Sequence, residues 1–110
     1  MSKILVIDDD PDVLEYLRVR LQTHGYDVAA ASGGYAALSL CETYKPDLLI
    51  VDLVMNDMSG FEVSARVKER FPGIKTLFIS GYTGMEYLRQ ASKSTLDVPF
   101  LQKPFELAAL

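Results

Sequence analysis

Short, wholly apolar runs alternate along this chain with longer segments in which apolar residues recur every three or four positions. The runs at 4–7 (ILVI) and 48–51 (LLIV) contain no polar residue, the pattern of strands buried on both faces rather than one. Further strands are predicted at 26–30 and 76–79, and a last one through Phe100 and Leu101, with Val98 entering it by way of Pro99. Helical segments lie between them. Asp10 followed by Pro11 predicts a helix start, with the carboxylate as N-cap and proline at the first helical position, where its missing N–H costs nothing. Val13, Leu14, Leu17 and Leu21 form the apolar face of that helix, and Gly25 stops it. Ser32-Gly33-Gly34 introduces a second helix that buries Ala37, Leu38 and Cys41 and ends at Lys45-Pro46. A third covers about 61–71 and closes at Pro72-Gly73, and a short fourth covers about 85–92.

The order βαβαβαβαβ predicts an α/β fold, a parallel sheet with helices on both faces, and right-handed crossovers leave few topologies for it. With 110 residues, 49% hydrophobic and 24% charged, residues 1–110 are expected to form one small globular domain. The net charge of −4 speaks against direct nucleic-acid binding, which needs a basic footprint. No stretch approaches the ~20 apolar residues of a membrane span, and the N-terminus lacks a signal-peptide core. The single cysteine, Cys41, has no internal disulfide partner, so a cytoplasmic location is expected. After Lys103-Pro104-Phe105, residues 106–110 read as the first turn and a half of a truncated helix.

Polar residues close the apolar runs. Asp8 and Asp9 follow the first, Asp52 the second, Ser80 the run TLFI and Lys103 the run PFLQ. In an open parallel sheet, ligands bind outside the carboxyl ends of the strands, so these groups are expected to share one edge, where three carboxylates repel unless a cation sits among them. Asp8 and Asp9 suit Mg²⁺, which takes oxygen ligands and often one or two carboxylates; Asp9 is expected as the direct ligand and Asp8 as a water-mediated one. Asp52 is the candidate nucleophile, able to form an acyl phosphate. Lys103 offers a point charge and Ser80 a hydroxyl to a phosphoryl group, with Gly81 leaving room beside them.

The four motifs resemble those of response-regulator receiver domains of two-component phosphorelays. ILVIDDDPD resembles the acidic pair, PDLLIVDLVMNDMSG the phosphoacceptor motif, LFISGYT the hydroxyl motif and FLQKPF the lysine-proline motif. The resemblance implies a flavodoxin-like, doubly wound five-stranded sheet in the order 2-1-3-4-5. It implies phosphorylation of Asp52, Mg²⁺ held by Asp8, Asp9, Asp52 and the Val54 carbonyl, and phosphoryl contacts from Ser80 and Lys103. Ser80 and Phe100 would be the switch residues, the peptide before Pro104 would be cis, and autodephosphorylation would be the only chemistry of its own beyond phosphoryl acceptance. A histidine kinase or histidine phosphotransfer protein would be the partner, and a homodimer through the C-terminal side is an expectation of the same kind. The wording SGYTG and FLQKPF is similar to receivers of hybrid sensor histidine kinases, which would make the parent chain a kinase.

This chain departs from the family pattern at Asn56, where proline is common; the loop thereby loses a φ restraint. Serine at 80 stands for the commoner threonine, Phe100 for tyrosine, and most of the fifth helix is missing. Two other functions compete: a haloacid-dehalogenase-like phosphohydrolase using Asp8 and Asp10, and a pseudo-receiver that binds partners without phosphate. Asp57 is expected to be a solvated turn residue, and His24 to suit a helix C-terminus. Cys41 is expected as a small buried hydrophobe, and Tyr82 and Tyr87 to pack near Phe100.

Overall fold

The computed structural model describes residues 2–80 and 100–102. Strands β1 (Lys3–Ile7), β2 (Asp27–Ala31), β3 (Leu48–Asp52), β4 (Lys75–Ser80) and β5 (Phe100–Gln102) form one parallel sheet in the order β2-β1-β3-β4-β5. Helices α1 (Pro11–Thr23), α2 (Gly34–Tyr44) and α3 (Gly60–Arg70) connect the first four strands. The predicted fourth helix, the truncated last helix, the peptide before Pro104, and Tyr82 and Tyr87 lie outside the described residues.

Strand residues alternate between two cores, as a period of two requires. Leu5, Ile7, Leu49, Val51 and Phe78 pack with Ala37, Cys41, Val63 and Val67 of α2 and α3. Ile4, Val6, Ile50 and Ile79 pack with Leu17 and Leu21 of α1. Helices therefore cover both faces of the sheet. The apolar runs are buried as expected: no residue from Ile4 to Ile7 is more than 3% exposed. Burying each such side chain is worth about 1.5–3 kcal/mol relative to leaving it in water.

The predicted boundaries shift by a residue. The strand expected at 26–30 is Asp27–Ala31, because Tyr26 belongs to the end of α1. There the Tyr26 N–H donates to the Leu21 carbonyl at 3.2 Å and the Gly25 N–H to the Gln22 carbonyl at 2.9 Å. Gly25 makes that closure at φ 92°, which disfavours any side chain. The third helix starts at Gly60 rather than 61. Asp52 and Ser80 are the last residues of β3 and β4 rather than the first beyond them, since the ladder continues past the apolar run.

Candidate functional site

β1 and β3 are neighbours, with Ile7 opposite Val51. One step further along each strand brings Asp8 beside Asp52. The Asp8 N–H donates to the Ala31 carbonyl at 3.2 Å and the Leu53 N–H to the Ile79 carbonyl at 3.0 Å, so the backbone on either side of the site stays tied to the sheet. Asp8 is fully buried and Asp52 is 5% exposed.

Asp9 lies in the turn that leaves β1 and is half-buried. Asp8, Asp9 and Asp52 each place one carboxylate oxygen within 4.8 Å of the other two. The chain turns after β1, which brings adjacent aspartates that would diverge on an extended strand to the same side. Neighbouring backbone holds them there. Asp8 Oδ1 accepts the Asp10 N–H at 2.9 Å, and Asp9 Oδ2 accepts the Asn56 N–H at 3.1 Å. Asn56 therefore supplies a donor that proline at this position would lack.

The donor set fits a hard divalent cation. It is all oxygen, and ligands about 2.0–2.1 Å from an octahedral Mg²⁺ lie roughly 3–4 Å apart, close to the spread of these three atoms. Gathering three carboxylates, two of them buried, is costly unless opposite charge compensates them. Val54 lies two residues past Asp52 in the loop after β3, and its side chain is 38% exposed.

Of the other expected site residues, Ser80 ends β4 one position beyond Ile79, which pairs with Asp52. Phe100 opens β5 opposite Phe78, and Gln102 pairs with Ser80. Lys103, the next residue in the chain, lies outside the described residues. Asp10 accepts the Asp12 N–H at 2.9 Å as the N-cap of α1. That use of its carboxylate counts against the phosphohydrolase reading, which requires Asp10 as its acid. His24 caps the other end of α1, with Nδ1 2.9 Å from the Arg20 carbonyl oxygen. Cys41 is buried, and burial first, then the negative charge of Glu42, pushes its thiol pKa up.

Asp57 is an exposed loop residue, as expected, but it also has a structural role that the sequence reading did not include. Its carboxylate accepts the Gly34 and Tyr35 N–H groups, both at 3.0 Å, so it closes the start of α2 from another loop. Those bonds, Tyr35 first and Gly34 second, hold its carboxyl below the ordinary aspartate range. Gly60 is a second residue that sequence reasoning missed. A Cβ there would lie 2.3 Å from the Asp52 carbonyl oxygen. Only the weak start of α2 hinted at Asp57: its N-cap is Gly33, which has no side chain to offer, and helix N–H groups need partners.

Residues 4–110 match the family model described as the response regulator receiver domain. The heme response regulator HssR of Staphylococcus saprophyticus is 34% identical over all 110 residues of this chain, which cover 48% of HssR. The response regulator receiver protein CpdR of Brucella abortus is also 34% identical, and there the match covers 91% of the relative. The chain thus spans about half the length of HssR and nearly all of CpdR. Among solved structures, the response regulator TrrA of Thermotoga maritima, in complex with Mg²⁺-BeF, superposes with a TM-score of 0.83 at 30% identity, covering 99% of this chain and 92% of TrrA. The chemotaxis protein CheY4 of Vibrio cholerae gives 0.82 at 30% identity, covering 96% and 89%.

Proposed function

The chain belongs to the response regulator receiver domain family, and we propose that Asp52 is its phosphoacceptor, beside a Mg²⁺ site made by Asp8, Asp9, Asp52 and the Val54 carbonyl. Receiver domains are signalling domains rather than classical enzymes, and they interact with histidine kinases or phosphotransfer proteins. The observation that carries the proposal is the convergence within 4.8 Å of three carboxylates, one from the end of β3 and two from the turn that leaves the adjacent β1.

An Asp52 oxygen attacks the phosphorus of a phosphohistidine donor. The O–P bond forms as the N–P bond breaks, and the imidazole nitrogen keeps the electron pair. Because Asp52 ends a strand paired on both sides, its backbone is held in place before the donor arrives. Bound Mg²⁺ supplies charge neutralisation for the transferring oxygens. TrrA, a relative solved with Mg²⁺-BeF, supports that choice of cation.

Ser80 and Lys103 contact the phosphoryl oxygens, and Ser80 with Phe100 relays the change to the surface as a two-state shift. Supporting this, Ser80 and Phe100 lie on β4 and β5, the strands that continue the sheet outward from Asp52. Hydrolysis resets the switch: a water oxygen bonds to phosphorus, the Asp52 O–P bond breaks, and phosphate leaves. The donor is a phosphohistidine of a kinase or a phosphotransfer protein. Residues 1–110 act as one receiver domain in the cytoplasm, without direct nucleic-acid contact and with the C-terminal side available for a homodimer. The net charge of −4 supports the lack of direct nucleic-acid contact, and no helix among the described residues is long and apolar enough to cross a membrane.

Incubation with a small acyl-phosphate donor and Mg²⁺, followed by mass spectrometric mapping, is expected to place one phosphoryl group on Asp52 and none on Asp52→Asn. Modification that survives Asp52→Asn, or that needs no divalent cation, would count against the assignment.

A further inference from the structure

The loop from Leu53 to Ser59 carries Val54 and Asn56, so its position sets part of the proposed metal site. Three side-chain hydrogen bonds tie that loop to two segments remote in sequence. The Asn56 N–H holds the Asp9 carboxylate. Asp57, the next residue, reaches across to the first turn of α2 and accepts the Gly34 and Tyr35 N–H groups. No side chain of α2's own caps that turn.

The contact is close as well as polar. A Cβ on Gly33 would lie 3.0 Å from Asp57 Oδ2, and one on Gly34 would lie 2.2 Å from Met58 Cγ. Two consecutive glycines thus let the loop lie against the helix start. Met58 is 7% exposed and belongs to the same apolar core as Val63 of α3.

We propose that Asp57 is a positioning residue for the metal site: it pins the β3–α3 loop to the start of α2 and thereby fixes Val54 and the Asn56 amide relative to Asp9. The proposal rests on the reading of Asp8, Asp9 and Asp52 as a Mg²⁺ site. Its consequence is that α2, which contributes no ligand, helps to determine how well the site binds a cation. The bonds also stabilise α2, so the test has to separate the two effects.

Mg²⁺ titration by calorimetry and thermal melts without Mg²⁺ are run on the wild type, on Asp57→Ala, and on the double variant Asp57→Ala with Gly33→Ser. Gly33 has extended backbone, φ 179° and ψ 176°, which serine can adopt. Removing the Asp57 carboxylate also removes the atoms nearest a new Cβ there. Serine at that position supplies a local N-cap but no tie to the loop. Asp57→Ala is expected to lower the melting temperature and to weaken Mg²⁺ binding about tenfold, the low end for groups that orient metal ligands. Gly33→Ser is expected to restore the melting temperature while Mg²⁺ binding stays weak. Should Asp57→Ala fail to fold, the double variant decides: weak binding supports the proposal and wild-type binding overturns it. Recovery of affinity together with melting temperature, or no loss of affinity in Asp57→Ala, overturns it as well. A wild type that binds no Mg²⁺ overturns the metal reading and this proposal with it, whereas normal wild-type binding with an indifferent Asp57→Ala overturns this proposal alone.

Discussion

Helices α2 and α3 both begin at the carboxyl edge of the sheet, and both starts adjoin the loop that follows Asp52, yet they are secured differently. α3 uses its own chain: Ser59 is the N-cap, and its hydroxyl accepts the Glu62 N–H at 3.1 Å. α2 has a glycine at the N-cap position and depends on Asp57, a residue of the loop leading into α3. A local cap stabilises one helix. A borrowed cap stabilises a helix and a loop together, and makes each sensitive to the other.

The largest expected effect lies on the side of α3. Gly60 opens that helix with its N–H donated to the Leu53 carbonyl at 2.9 Å, and an added Cβ would lie 2.3 Å from the Asp52 carbonyl oxygen and 3.0 Å from Leu53 Cα. Both obstacles are backbone, so neither can rotate away. Gly60→Ala is expected to cost about 3 kcal/mol in denaturant unfolding, the upper end of ordinary overpacking, and to slow phosphorylation of Asp52 by displacing its strand end. A near-neutral result would mean that the helix start can retreat from β3, and the contrast between a fixed α3 and a dependent α2 would weaken.

Ser59→Ala sharpens the same contrast at a smaller scale. Loss of a local N-cap typically costs about 1 kcal/mol, to be read from the unfolding midpoint. Because Ser59 bonds within its own helix start, Mg²⁺ affinity is expected to be unchanged, in contrast to Asp57→Ala. A matching loss of affinity would show that any loosening of the loop disturbs the metal site, and that the tie to α2 is nothing special.

The same distinction explains what could be read from the residues. Asp10-Pro11 announced α1 because a cap and the helix that it serves are adjacent, and 4–7 and 48–51 announced buried strands because alternation is absent over only a few residues. Asp8, Asp9 and Asp52 were legible as a group once the strands were, since a parallel sheet sends their carboxyl ends to one edge. Ser59-x-x-Glu62 also carries the signature of a capping box, and reading it would have started α3 one residue earlier. Asp57 was not legible. It and Gly34 are separated by 23 positions, and an aspartate in a polar loop has the same local signature whether it faces water or a distant helix. Gly60 was hidden for a related reason, because the close approach of the Asp52 carbonyl exists only after β3 and α3 have packed.

The smallest expected effect tests whether the Asp57 contact is electrostatic. In the folded protein its carboxyl pKa is lowered by the Tyr35 and Gly34 N–H groups, relative to about 3.9 for an unperturbed aspartate. A depressed folded-state pKa contributes stability that is fully present above the unfolded value and is lost as pH falls through the folded value. The stability difference between wild type and Asp57→Asn should therefore be flat from neutral pH down to about pH 5, then shrink as the solution is acidified below the unfolded pKa of about 3.9. Denaturant midpoints measured in parallel at each pH provide the check, because acid effects at sites distant from Asp57 are common to both proteins and largely cancel in the difference. Asparagine still has one carbonyl oxygen for these donors but no charge, so a difference that stays constant into acid would assign the contact to shape rather than charge. In that case the borrowed cap of α2 would differ from the local cap of α3 only in where it comes from.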